Sequence, residues 1–220
     1  GFQMYIGYHP QGDGGFVSQL AFAPMAILDD NLRDETTLAA AISFIRENPG
    51  DALVRVVRRA AFFLAAEDRE LLYFYSNGFF GEIPQPALAL AYLVIVLPWM
   101  GVCLLAAPGL LLALTSRSSR AIAWLALTLI AGYALPHLLI IAEPRFHLAL
   151  VPVLIPFAAL GWSRRKEAMR ILLHASGLTP WLLRLALLAL LVFWIWGFAL
   201  NWDRILMVMS PGGSNARFYY

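Results

Sequence analysis

The sequence predicts an all-α integral membrane protein with about four transmembrane helices, preceded by a helical extracytoplasmic segment that includes an interfacial amphipathic helix. Of 220 residues, 60% are hydrophobic and 14% charged, and the mean hydropathy is +0.69, outside the balance of a soluble domain. Four apolar runs of near-membrane length fill residues 87–200. Upstream, residues 1–87 hold eleven acids and six arginines, and no run there reaches the ~18 apolar residues that a spanning helix needs. The chain thus divides into an extracytoplasmic segment 1–87, a membrane region 88–200 and an extracytoplasmic tail 201–220. It opens without a charged n-region and short apolar core, so it reads as a piece whose upstream part is missing.

The opening, residues 1–16, carries Gly1, Gly7, Gly12, Gly14, Gly15 and Pro10 and is expected to be a loop. A helix is predicted over about 31–47, where Asp34, Glu35 and Thr36 suit a first turn and Leu38, Ile42 and Ile45 recur at helical spacing. Asn48-Pro49-Gly50 ends it, and Asp51 can cap a second helix over about 51–66. There Leu53, Val54, Val56, Val57, Phe62 and Phe63 lie beside Arg55, Arg58 and Arg59, a pattern suited to the plane of the lipid headgroups. Residues 67–87, with Glu67-Asp68-Arg69-Glu70, an aromatic cluster, Pro84 and Pro86, read as a connector into the membrane.

Spans are predicted at about 87–114, 121–142, 146–162 and 181–200. The first contains Pro98, Pro108 and Gly109 and is expected to kink or tilt. As an α-helix the third would cover only about 25 Å, short of the roughly 30 Å hydrocarbon core. Loop 115–120 carries Arg117 and Arg120, and loop 163–180 carries Arg164, Arg165, Lys166 and Arg170 against Glu167. Four spans put both loops on one side, cytoplasmic by the positive-inside rule, which leaves 1–87, the seam at 143–147 and the tail on the other. The expected location is the inner (plasma) membrane, multi-pass, within the cell envelope.

Candidate chemistry gathers at that seam, Glu143-Pro144-Arg145-Phe146-His147, because ionisable groups at a bilayer edge are costly unless they pair, meet water or bind a ligand. Arg145 can hold a phosphate through two parallel hydrogen bonds, with Glu143 orienting it and His147 nearby; Glu143 and Arg145 equally fit an interfacial pair that anchors a loop. Arg55, Arg58 and Arg59, at i, i+3 and i+4, can attract an anionic carrier headgroup or ordinary anionic lipid. Tyr5, Tyr8 and His9 can line a sugar pocket or pack the loop down. The tryptophans, Trp99, Trp124, Trp162, Trp181 and Trp202 among them, read as interfacial anchors. Cys103, the single cysteine, has no partner for a disulfide within the chain. A net charge of +2 does not point to nucleic acid, and Gly-x-Ser-x-Gly, Walker, His-Glu-x-x-His and cysteine metal spacings are absent, so neither a metal site nor a cofactor is expected.

Two stretches resemble the GT-C type, polyprenyl-phosphate-dependent glycosyltransferases of the family 39-like group, relatives of protein mannosyltransferases and aminoarabinose transferases. One is Tyr5-Ile6-Gly7-Tyr8-His9-Pro10 with Gly14-Gly15-Phe16; the other is Glu143-Pro144-Arg145-Phe146-His147-Leu148 with Pro152. The chain departs from the family pattern at Ala149, often proline, and at Phe146, more commonly tyrosine. The resemblance implies the C-terminal portion of an inverting transferase that moves a sugar from a polyprenyl-phosphate carrier to an extracytoplasmic glycan, lipid or protein. It places Arg145 on the carrier phosphate, with Glu143 and His147 shaping that site. The family's catalytic acid sits in a first loop upstream of this chain, so the piece is expected to be inactive alone. A polytopic transporter and a non-catalytic scaffold subunit are the competing expectations.

Overall fold

The computed structural model describes residues 1–66 and 69–216; Glu67 and Asp68 of the expected connector and residues 217–220 of the expected tail lie outside them. The fold is 80% helix with no strand among the described residues. Four helices are long and apolar enough to cross a bilayer: Gln85–Thr115, Arg120–Leu139, Pro144–Ser163 and Leu178–Ala199. The chain is an all-α, multi-pass membrane protein. Its described residues form two units, 1–64 with 132–146, and 65–131 with 147–216.

The first unit begins with a helix where a loop was expected, α1 (Phe2–Tyr8), and α2 (Ser18–Met25) follows it. Neither is long enough to hold itself together in water, so both depend on tertiary packing. Ile6 and Ala21 bury against Ile141, with Phe2, Tyr5, Phe16 and Phe146 around them. Gly7 serves this packing rather than a turn, since a Cβ there would stand 2.0 Å from the carbonyl oxygen of Ile140. Only Gly14, with φ of +105°, meets the expectation of left-handed backbone in the opening.

Helix α3 (Asp30–Glu47) matches its prediction but starts one residue sooner, because the Asp29 carboxylate accepts from the amides of Asn31 and Leu32 at 2.9 and 3.1 Å. Helix α4 (Pro49–Leu64) starts two residues early. Pro49 needs no hydrogen bond at the first helical position, so Asn48-Pro49 ends one helix and begins the next. Asp51 lies inside the first turn, where its charge suits the helix dipole, and is not the cap. The sidedness of α4 is unusual. Ala52, Arg55, Arg59 and Phe63 are buried while Leu53, Val54 and Val57 are exposed, so two arginines face protein and the aliphatic stripe faces out.

In the second unit, α5 (Arg69–Ser76) occupies the expected connector. The remaining helices are α6 (Gln85–Thr115), the first part of α7 (Arg120–Leu139), α8 (Val151–Ser163), α9 (Arg165–His174) and α10 (Leu178–Met209). A 3-10 helix over Pro144–Leu150 precedes α8. The span has 20 residues, more than the stretch predicted, and the 3-10 part rises about 2.0 Å per residue, so its contour reaches roughly 33 Å and the expected shortfall is removed. Residues 201–209 of the expected tail instead continue α10. Ile205 and Val208 bury with Leu71, Leu72, Tyr75 and Leu88, because apolar residues recur at helical spacing beyond Trp202. Trp99 and Trp194 are buried, whereas Trp124, Trp162, Trp181 and Trp202 are exposed as interfacial anchors require.

Candidate functional site

The seam begins where α7 ends at Leu139 and the chain turns into the 3-10 helix at Pro144. Glu143 is buried, its side chain only 6% exposed, while that of Arg145 is 58% exposed. Arg145 Nε donates to Glu143 Oε2 at 2.7 Å. The carboxylate therefore fixes one edge of the guanidinium. Neither Nη group makes a hydrogen bond or ion pair among the described residues, so the fork that binds planar anions stays available.

The glycine-rich opening meets the seam inside the first unit. Tyr5 and Phe146 pack on the same Ile6–Ala21–Ile141 cluster. Tyr5 and His9 contact edge to face at 5.0 Å between ring centroids. Partial burial, and then the charge of Arg55, hold the His9 imidazole below its ordinary pKa. The neutral form fits its local bond, in which Nδ1 accepts from the Gln11 amide at 3.2 Å. His137, near the end of α7, lies among Phe63, Tyr133 and Phe146 at 6.0, 4.8 and 4.5 Å between centroids. No sequence pattern assembles this aromatic box, because Phe63 and His137 are far apart along the chain.

The three arginines of α4 have three different fates. Arg58 is exposed and available to an anion. Arg55 is buried: Nη2 donates to the Pro10 carbonyl at 3.4 Å, and the guanidinium lies 4.7 Å from the centre of the Phe44 ring. Its Nη1 has no hydrogen-bond partner among the described residues. Arg59 is fully buried and donates from Nε to Gly14, from Nη1 to Leu138 and Leu139, and from Nη2 to Gly7, at 2.7–3.1 Å. Its guanidinium also lies 4.1 Å from the Tyr8 ring centre. Burial lowers its pKa and the Tyr8 contact opposes that shift. The carrier-binding role expected of Arg59 is corrected here: four backbone carbonyls already occupy its donors, and it serves as a staple.

His147 also differs from expectation. In the second unit it is fully buried and stacks on Trp99, with 3.8 Å between centroids and 8° between planes. It packs the start of the third span against α6, a role that short motif spacing cannot reveal.

Compared with known proteins, the chain matches no family model, no curated protein and no solved structure.

Proposed function

We propose that this chain is the carrier-contacting C-terminal portion of a membrane glycosyltransferase, moving a sugar from a polyprenyl-phosphate donor to an acceptor outside the cytoplasm. The observation that supports this reading is the Arg145 guanidinium. It is half exposed at the start of a membrane span and held along one edge by the buried Glu143 carboxylate. A lipid-linked phosphate lies at the depth of a span end, and a guanidinium with both Nη groups open can bind two of its oxygens. As the glycosidic C–O bond breaks, the carrier phosphate gains negative charge, which the same contact stabilises. The acceptor proton passes to a base upstream of this chain. Tyr5, His9 and Arg58 supply aromatic, hydrogen-bonding and cationic groups on the same unit.

In the full-length protein, Arg145→Ala is expected to lower transfer from a polyprenyl-phosphate sugar by about 10²–10³-fold, with expression and membrane insertion unchanged. Arg145→Lys keeps the charge without the fork and should recover only part of the activity. Transfer that survives Arg145→Ala would overturn the assignment.

The reading also fixes a topology, with the two basic loops in the cytoplasm and the inner membrane as the location. A reporter inserted after Ser118 should be cytoplasmic and one inserted after Gly212 should not. The reverse pattern would invert the proposed orientation and place the seam on the wrong side for this chemistry.

A further inference from the structure

Between Asp13 and Asp29 the chain carries no ionisable side chain, and from Leu20 to Leu28 it is apolar at every position. At eight residues, α2 is about 12 Å long, far too short to span a bilayer. Its two sides are sharply different. Ala21 and Pro24 are buried, and Ala21 packs with Ile6 and Ile141. Phe22, Met25 and Leu28, spaced three residues apart, are 69%, 58% and 91% exposed. A stripe of three large apolar side chains held open in this way calls for an apolar partner.

The first unit itself says which partner. Ile141 lies two residues beyond the end of α7, and Phe146, on the same cluster, belongs to the start of the third span. Ala21 is therefore seated at the level where two spans leave the hydrocarbon. Leu135, Leu139 and Ile140, on the same unit, are exposed apolar side chains at the end of α7 and just past it. Asp29 and Asp30 then return the chain to water at the head of α3.

We propose that residues 18–28 form a monotopic membrane segment. They lie in the plane of the leaflet on the seam side, with Phe22, Met25 and Leu28 among the acyl chains of bilayer lipid. Exposed apolar side chains at Leu135, Leu139 and Ile140, on the same unit and next to the Ile141 that Ala21 packs on, favour lipid over a second protein. The exposed Leu53, Val54 and Val57 of α4 give the same unit a second lipid-facing stripe, with Arg58 beside it for anionic headgroups. The proposal does not depend on the glycosyltransferase reading.

The test is spin-label depth measurement on the intact chain in phosphatidylcholine–phosphatidylglycerol vesicles. Single cysteines replace Phe22, Met25, Leu28 and, as an aqueous control, Gln11, in a Cys103→Ala background. All four positions are partly or fully exposed, so the labels do not disturb the core. Labels at 22, 25 and 28 should respond to dissolved oxygen rather than to a water-soluble nickel chelate, at about 5–10 Å below the phosphates. The label at 11 should respond to the chelate. Chelate access at 22, 25 and 28 would overturn the proposal by showing an aqueous stripe. Protection from both reagents would also overturn it, by showing that protein, such as a second copy of this chain, covers the stripe.

Discussion

A methyl group added at Gly109 or at Gly161 is expected to force α6 and α8 apart and to cost about 3 kcal/mol, the upper part of the range for overpacking. A Cβ at Gly109 would stand 1.8 Å from the carbonyl oxygen of Phe157, and one at Gly161 would stand 2.1 Å from that of Leu105. Both obstacles are backbone, which no side-chain rotation can clear, so the helices must separate along their contact. Without a hydrophobic drive between helices in lipid, close backbone approach supplies much of the association, and widening it removes dispersion contacts on both sides. Alanine restores at most about 1 kcal/mol through helix propensity, too little to offset the clash. Gly101 and Gly197 provide the control, since nothing stands within 4 Å of a Cβ at either. Gly101→Ala and Gly197→Ala should be neutral or mildly stabilising. Thermal unfolding of the detergent-solubilised protein reads the difference. If Gly109→Ala melts together with Gly101→Ala, the packing described for α6 and α8 is wrong.

Arg59→Met is the second large effect, expected to cost about 3–5 kcal/mol. The guanidinium gathers carbonyls from three separate stretches: Gly7 in α1, Gly14 in the loop, and Leu138 and Leu139 in the last turn of α7. Those at helix ends have no partner further along their own helix and carry the negative end of the helix dipole, so a buried cation suits them. Methionine fills the space but leaves the carbonyls in an apolar interior without their donors. Lysine keeps the charge, yet three N–H groups on one nitrogen cannot reproduce a planar fork that reaches three segments, so it should rescue only part of the loss. Arg58→Met, on the exposed side of the same helix, should change stability by no more than about 0.5 kcal/mol. Thermal unfolding together with amide exchange in residues 2–16 checks this, and equal effects at 58 and 59 would contradict the staple.

The spans and helices α3 and α4 were legible because apolar length and helical period are properties of neighbouring residues. Helices α1, α2 and α5 were not. The glycines and prolines of residues 1–16 argue locally for a loop, whereas Gly7 is there so that α1 can touch the backbone at Ile140. Trp99 was grouped with the interfacial anchors although it falls inside the first predicted span, and its stack with His147 gives it a core role. At the seam, the pairing of Glu143 with Arg145 was readable because only Pro144 separates the partners.

By itself the sequence determined that this is an all-α membrane protein with four spans, since the transfer of a long apolar run into hydrocarbon depends only on its own composition. It also marked Glu143 and Arg145, a local pair of opposite charges at a span end. The tertiary structure alone decided which arginines are free. Arg55, Arg58 and Arg59 share one short stretch of helix, but Arg59 reaches carbonyls 79 and 80 residues away, and Arg58 is left exposed. The physical reason is that a guanidinium takes whatever acceptors folding brings to it, and those acceptors are backbone oxygens that no sequence pattern distinguishes.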